Sequence, residues 1–178
     1  MRGIIIEGMD NTGKTTLAKT LSDELSLRVV KSPGPYKENH TYAMSWLQMA
    51  CQMREVVIFD RLAPFSEEIY GTIIRHCNLF RKYYDWPAVI DMVTIGPPLI
   101  IYCRPPDEVI FKFGEREQMD GVIQNRMILL RQYDFLMETL PNTHLHRYDF
   151  TKTGELDSIK TLCKAYLNLI KMERGNRP

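Results

Sequence analysis

No sign of charge dominates this chain: 23 Lys and Arg stand against 22 Asp and Glu, a formal net charge of +1 over 178 residues. Global attraction to a polyanion is thereby excluded, and any anionic partner must be held by a local cluster of cations. Cysteine is scarce. The four present, Cys51, Cys77, Cys103 and Cys163, include no CxxC pair, which argues against a zinc site or a disulfide framework and for free thiols in a reducing cytosol. No stretch approaches the ~20 apolar residues of a membrane span. The run Ile4-Ile5-Ile6 is too short for the core of a secretory signal. Internal repeats, low-complexity tracts and interdomain linkers are absent as well. The expectation is a cytoplasmic protein without membrane contact, built as one domain over residues 1–178. Its 44% hydrophobic and 25% charged residues are ordinary for a globular core.

What is there is an alternation of short β-branched runs with amphipathic stretches. Strands are predicted over 2–7, 27–30, 55–60, 98–103 and 144–148. Helices are predicted over 14–27, 40–52, 64–82, 86–93, 107–111, 122–140 and 155–172. This order predicts an α/β fold with a five-stranded parallel sheet and helices on both faces.

The most informative segment is Gly8-Met9-Asp10-Asn11-Thr12-Gly13-Lys14-Thr15. It fits G-x-x-x-x-G-K-[ST] without mismatch, follows an apolar strand and opens an amphipathic helix. The glycines let successive N–H groups converge on an anion, and the helix dipole adds its positive end. Gly8, Asn11, Thr12, Gly13, Lys14, Thr15 and Thr16 are therefore candidate binders of the ATP phosphates. Lys14 can reach the β- and γ-phosphates, and the Thr15 hydroxyl is placed for Mg²⁺. The chain is read as a P-loop phosphotransferase.

In an open parallel sheet, ligands lie beyond the carboxyl ends of the strands. After the third strand come Asp60 and Arg61. Asp60 can complete the Mg²⁺ shell or accept a proton, and Arg61 can clamp a phosphate bidentately. Lys31-Ser32-Pro33-Gly34-Pro35, after the second strand, reads as a rigid pocket wall or a plain turn. The polar stretch around Gly114-Glu115-Arg116-Glu117 reads as part of a lid over about 112–121. Arg116 is the candidate to meet the transferring phosphoryl, with Lys112 and Arg126 as alternatives. His144-x-His146 lacks a third ligand at suitable spacing and reads as structural. Arg75, His76, Arg81 and Lys82, placed on one helix, read as a solvated face or as a track for a phosphate backbone.

These residues resemble the thymidylate kinases. Glu7-Gly8-Met9-Asp10 followed by Gly13-Lys14-Thr15-Thr16 is similar to their E-G-x-D-G-x-G-K-T-T loop. Lys31-Ser32-Pro33-Gly34 is similar to R-E-P-G, and Asp60-Arg61 with Ser66 and Tyr70 to D-R-x(4)-S-x-x-A-Y-Q. Asn11 stands where that loop has glycine, and Ser32 where the second motif has its carboxylate. The similarity covers roughly the first 75 residues, and beyond them only element order agrees. Asp10-Asn11-Thr12-Gly13-Lys14, Ser32-Pro33-Gly34-Pro35, Ser66-Glu67-x-x-Tyr70-Gly71 and Met119-x-Gly121-Val122 together resemble a subset of bacteriophage enzymes. That subset comprises deoxynucleotide kinases and kinases of 5-hydroxymethyluracil in DNA, which serve thymidine hypermodification.

The resemblance implies a nucleotide-kinase fold, ATP and Mg²⁺ as cofactors, and a thymidine-like acceptor. It places Trp46, Gln48, Ser66, Glu67 and Tyr70 at the acceptor, and Asp10, Lys14, Asp60, Arg61 and Arg116 at the chemistry. Family members carry an Arg on the helix before the third strand that grips the acceptor's monophosphate; here that helix offers Gln48 and Gln52. Glutamine can bond a neutral base or hydroxyl but cannot balance a dianion. Taken with this lack of a cation, the resemblance to the phage enzymes implies as acceptor the hydroxymethyl of 5-hydroxymethyluracil in phage DNA, with the host cytoplasm as the location. A thymidylate or deoxynucleoside monophosphate kinase is the alternative. The oligomeric state stays open, a homodimer included.

Overall fold

The computed structural model describes residues 1–36, 39–112, 119–141 and 143–175. Five parallel strands, β1 (Ile4–Glu7), β2 (Val29–Lys31), β3 (Ile58–Asp60), β4 (Leu99–Cys103) and β5 (His144–Tyr148), form one sheet in the order β2-β3-β1-β4-β5. The register aligns Ile4 with Ile58 on one side and with Leu99 on the other. As the central strand, β1 is covered on both faces, and Ile4, Ile5 and Ile6 are fully buried. This is why its sequence is a continuous apolar run instead of an alternating one.

Successive side chains point to opposite faces. Ile4, Ile6, Ile58, Leu99 and Ile101 pack with α1 (Lys14–Leu25) and α8 (Glu155–Gly175). Ile5, Phe59, Ile100 and Tyr102 pack with α2 (His40–Gln52), α3 (Ala63–Ser66), α4 (Leu79–Tyr83), α5 (Trp86–Thr94) and α7 (Arg126–Thr139). Asn39 caps α2 by accepting the Tyr42 N–H at 3.0 Å. A short helix, α6 (Asp107–Ile110), follows β4. No described helix is long and apolar enough to cross a membrane.

The predicted helix over 64–82 is broken. After α3 the chain makes a π-helical turn, Glu67–Gly71, whose five residues are all buried. It then passes His76 at φ 53° and restarts at α4, where Asn78 Oδ1 accepts from the Phe80 and Arg81 N–H groups. The break follows from two inward-facing glutamates. Glu67 is bound by Arg75 at 2.5 Å, and Glu68 by Arg81 at 2.6 and 2.7 Å and by Asn78 at 2.7 Å. Arg75 and Arg81 therefore do not share one helical face, and both are held by carboxylates, so the track expected for a phosphate backbone is not formed as predicted.

Candidate functional site

The order of strands reverses at β1: the chain leaves it toward β2 and β3, then returns on its other side to β4 and β5. The crevice beyond β1 lies at this switch point, where open α/β sheets bind ligands. The phosphate loop fills it. Gly8 has φ 143°, and a Cβ there would stand 2.6 Å from Cys103 O, so only glycine fits. Gly13 has φ 81° and leads into α1. Thr12 Oγ1 donates to Met9 O at 2.8 Å and closes the loop on itself.

Lys14 is buried, with its ammonium donating to Met9 O. Burial pushes its pKa down to about 8, with Arg61 adding repulsion and Asp10 opposing the shift. This ammonium is held on a loop carbonyl and is a ready counter-charge for an entering polyphosphate. Beside it, Arg61 stands at φ 69°, its N–H bonded to Ile6 O at 3.0 Å. Its guanidinium pairs with Asp10 Oδ1 and lies 5.0 Å from the Tyr70 ring centre. The Tyr70 hydroxyl donates to Asp10 Oδ2 at 3.1 Å. Burial works to raise the Asp10 pKa, but Arg61, Lys14 and the Tyr70 hydroxyl outweigh it and hold the carboxyl below its usual range.

Beneath this group Glu7 is fully buried. Its Oε1 accepts from Leu62 N–H at 2.5 Å, and its Oε2 has no hydrogen-bond partner among the described residues. Burial pushes its pKa up to about 7, against the Leu62 N–H and the charges of Arg61 and Lys14. On the other side of the loop, Thr15 Oγ1 donates to Asp60 Oδ2 at 3.1 Å. These two oxygens suit magnesium, which takes few protein ligands and fills its shell with phosphate oxygens and water. No cluster of three or more His, Cys, Asp or Glu that would cage a metal occurs among the described residues.

Asp10, Lys14, Thr15, Asp60, Arg61 and Tyr70 face one cleft of about 910 Å³, with Glu7 buried behind it. At one end lie Tyr148, Phe150 and Leu156, with the Phe150 ring 3.1 Å from where a Gly13 Cβ would stand. At the other end lie Lys31, Ser32, Pro35, Tyr36, Ser66, Glu67, Tyr70, Arg75 and Met119. The Gly34–Pro35 peptide in this wall is cis. Phe150 and Tyr148 were not singled out in the sequence; their signal was position at the carboxyl end of β5, the same rule that pointed to Asp60.

Of the sequence candidates, Asp10, Asn11, Gly13, Lys14, Thr15, Thr16, Asp60, Arg61, Ser66, Glu67 and Tyr70 line the cleft. Gly8 and Thr12 are buried in the loop behind it. Two candidates lie elsewhere. Trp46 packs in the core edge-on to Phe59 at 6.3 Å, because α2 turns its apolar stripe to the sheet. Gln48 is on the exposed face of the same helix. Arg75, read as part of a solvated face or of a phosphate-backbone track, lines the cleft, paired with Glu67. Arg116 lies outside the described residues, as does most of the 112–121 segment.

No family model and no curated protein matches the sequence. Solved structures do match the fold. The YorR protein of Bacillus subtilis, in complex with phosphorylated GDP, aligns over 99% of both chains at 21% identity with a TM-score of 0.67. The deoxyadenosine kinase of M. mycoides aligns over 94% of this chain and 99% of its own at 17% identity, TM-score 0.57. The thymidylate kinase of Candida albicans aligns over 95% and 92% at 15% identity, TM-score 0.56. The chain thus has the α/β P-loop fold found in nucleoside and nucleotide kinases.

Proposed function

We propose that this protein is an ATP-dependent phosphotransferase that moves the γ-phosphoryl group to a thymidine-like acceptor. The observation that carries the reading is the convergence of Lys14, Thr15, Asp60 and the Asp10–Arg61 pair on one cleft. The phosphates of the donor lie on the loop N–H groups, with the Lys14 ammonium moving from Met9 O onto the β- and γ-oxygens. Thr15 and Asp60 would hold magnesium, which would supply positive charge to those oxygens. Arg61 keeps N–H donors beyond those that reach Asp10 and Tyr70, and directs them at the transferring group. The acceptor oxygen attacks the γ-phosphorus, the bond to ADP breaks, and the acceptor proton passes to Asp60 or Asp10. Little basicity is required of that carboxylate, because charge builds up mainly on the phosphoryl oxygens.

Phe150, Tyr148 and Leu156 make an aromatic and apolar end suited to the donor base. The opposite end, with Tyr36, Ser66, Glu67 and Tyr70, is that of the acceptor. The thymidine-like assignment rests on the resemblance of Asp60-Arg61, Ser66 and Tyr70 to thymidylate kinases. The finer form, transfer to the hydroxymethyl of 5-hydroxymethyluracil in DNA, rests on the phage-type pattern and on the absence of an Arg from α2. Free dTMP is favoured by one observation: Lys31 lines the acceptor end and offers a cation to a monophosphate, whereas Arg75 is already paired with Glu67.

The test is to incubate the protein with γ-labelled ATP and, in parallel, dTMP, thymidine, and DNA containing thymine or 5-hydroxymethyluracil. Label in any acceptor sustains the phosphotransferase reading. Label confined to the modified DNA supports the finer form, and conversion of dTMP alone overturns it. No transfer to any of them, with ATP bound, refutes a thymidine-like acceptor.

A further inference from the structure

Asn11 stands in the phosphate loop at φ 66°, a conformation that asparagine tolerates and glycine adopts without strain. Its side chain is directed at α6. The amide Nδ2 meets three main-chain carbonyls: Lys112 O at 2.8 Å, and Val109 O and Ile110 O at 3.2 Å each. Two N–H groups are thus shared among three acceptors at the carboxyl end of α6, where the last carbonyls of a helix run short of main-chain donors. Among the described residues, Val109 O alone of the three also accepts from a main-chain N–H, that of Lys112 at 3.3 Å. The other end of α6 is also fixed. Arg104, largely buried, donates to Asp107 Oδ1 at 2.6 Å and Pro105 O at 2.9 Å, and to both oxygens of Asp134 on α7.

A four-residue helix has little stability alone. Held by Arg104 at its start and Asn11 at its end, it is a strut between the β4–α7 side of the fold and the phosphate loop. We propose that Asn11 is a positioning residue that fixes the phosphate loop in its anion-accepting shape by anchoring it to α6. The inference rests on the reading that this loop takes the polyphosphate of a nucleoside triphosphate.

The consequence is a particular kinetic signature. A loop held in one shape contributes equally to the bound ground state and the transition state, so the anchor acts on affinity and not on turnover. Asn11→Gly keeps the left-handed backbone accessible, removes the anchor and frees the loop. The entropy restored to a glycine loop and the lost hydrogen bonds amount to a roughly threefold to tenfold effect. Asn11→Asp keeps the shape but turns carboxylate oxygens toward three carbonyls, which repel them.

The experiment measures Kd for ATP and for inorganic tripolyphosphate, kcat at saturating ATP, and the melting temperature, on wild type and both variants. Asn11→Gly weakens both ligands by the same factor, roughly threefold to tenfold, and leaves kcat within about twofold. Asn11→Asp weakens them further. Tripolyphosphate isolates the loop from the base-binding end. A folded Asn11→Gly with unchanged affinities, or with unchanged affinities and lowered kcat, overturns the proposal. If Asn11→Asp fails to fold, Asn11→Gly decides alone. Failure of the wild-type chain to bind either ligand removes the nucleotide reading and this inference with it. Binding by wild type that Asn11→Gly does not alter removes only the inference.

Discussion

Thr15 Oγ1 donates to Asp60 Oδ2 across 3.1 Å, joining the first turn of α1 to the end of β3. The contact brings the hydroxyl and the carboxylate of two separate motifs to one point at the cleft. Asp60→Asn preserves the shape and removes the charge. Turnover at saturating ATP then falls by about 10²-fold or more, while Kd for ATP moves by less than about threefold. Single-turnover kinetics beside equilibrium titration separates the two. Lost affinity with unchanged turnover per bound nucleotide would limit Asp60 to binding.

Lys14 gives a second prediction, with two parts. Lys14→Ala leaves the fold intact and lowers transfer by roughly 10²- to 10³-fold, as for other lost charge-stabilising donors. Because burial holds the ammonium near pKa 8 instead of 10.5, the free protein loses this charge as pH rises through 8. ATP binding must then take up a proton, and Kd rises by up to about tenfold per pH unit above 8. The same shift makes Lys14's own contribution to stability increase between pH 8 and 10.5, where the unfolded chain holds the proton and the fold does not. Calorimetric titrations in buffers of different ionisation heat measure the proton uptake directly.

Glu7 titrates in the opposite sense. Its folded pKa is raised from 4.5 to about 7, so the fold binds a proton that the unfolded chain releases. The stability Glu7 contributes is fully present below pH 4.5 and declines as pH rises to 7, by on the order of 3 kcal/mol. Glu7→Gln removes that decline. Urea unfolding from pH 4.5 to 7.5 provides the comparison, and parallel pH profiles for the two proteins would contradict the assignment.

Gly71 closes the π-helical turn. A Cβ there would stand 2.9 Å from Cys77 O, 2.9 Å from Glu67 Oε2 and 3.3 Å from Arg75 Nη2. Gly71→Ala therefore displaces either backbone or the buried ion pair, and costs about 1–3 kcal/mol in urea unfolding. The displacement reaches the acceptor end of the cleft through Glu67 and Arg75, so KM for the acceptor rises while KM for ATP stays constant.

Much of this architecture is legible in the sequence because the relevant signals are local. The α2 boundaries, His40–Gln52, agree with the predicted 40–52, and the loop from Gly8 to Thr15 is a contiguous motif between an apolar run and an amphipathic one. The misread regions depend on distant partners. Glu67 reads in the sequence only as an acceptor-site residue, and nothing local announces that Arg75 pairs with it or that Asn78 and Arg81 hold Glu68. Trp46 resembles a stacking group in sequence, but Phe59, 13 positions later, claims it for the core. Arg75 would share a helix face with Arg81 only if the chain stayed helical past Ile73; instead the chain leaves the helix there, and Arg75 pairs with the buried Glu67. Asn11 carries no sign of α6, 98 residues away at Val109.

The place of β1 in the sheet has a consequence for how the chain reaches its native state. Ile4 is among the first residues in sequence, yet its neighbours are Ile58 and Leu99. Both edges of this apolar strand stay open until segments 54 and 95 positions away arrive. Loop-closure entropy opposes both pairings before any burial rewards them, which makes folding slow relative to proteins rich in local contacts. Throughout that interval Ile4-Ile5-Ile6 is a sticky β-branched segment with unpaired backbone on both sides, the kind of surface that seeds self-association. Refolding yield for this protein therefore falls as its concentration rises, even under conditions where the native state is stable.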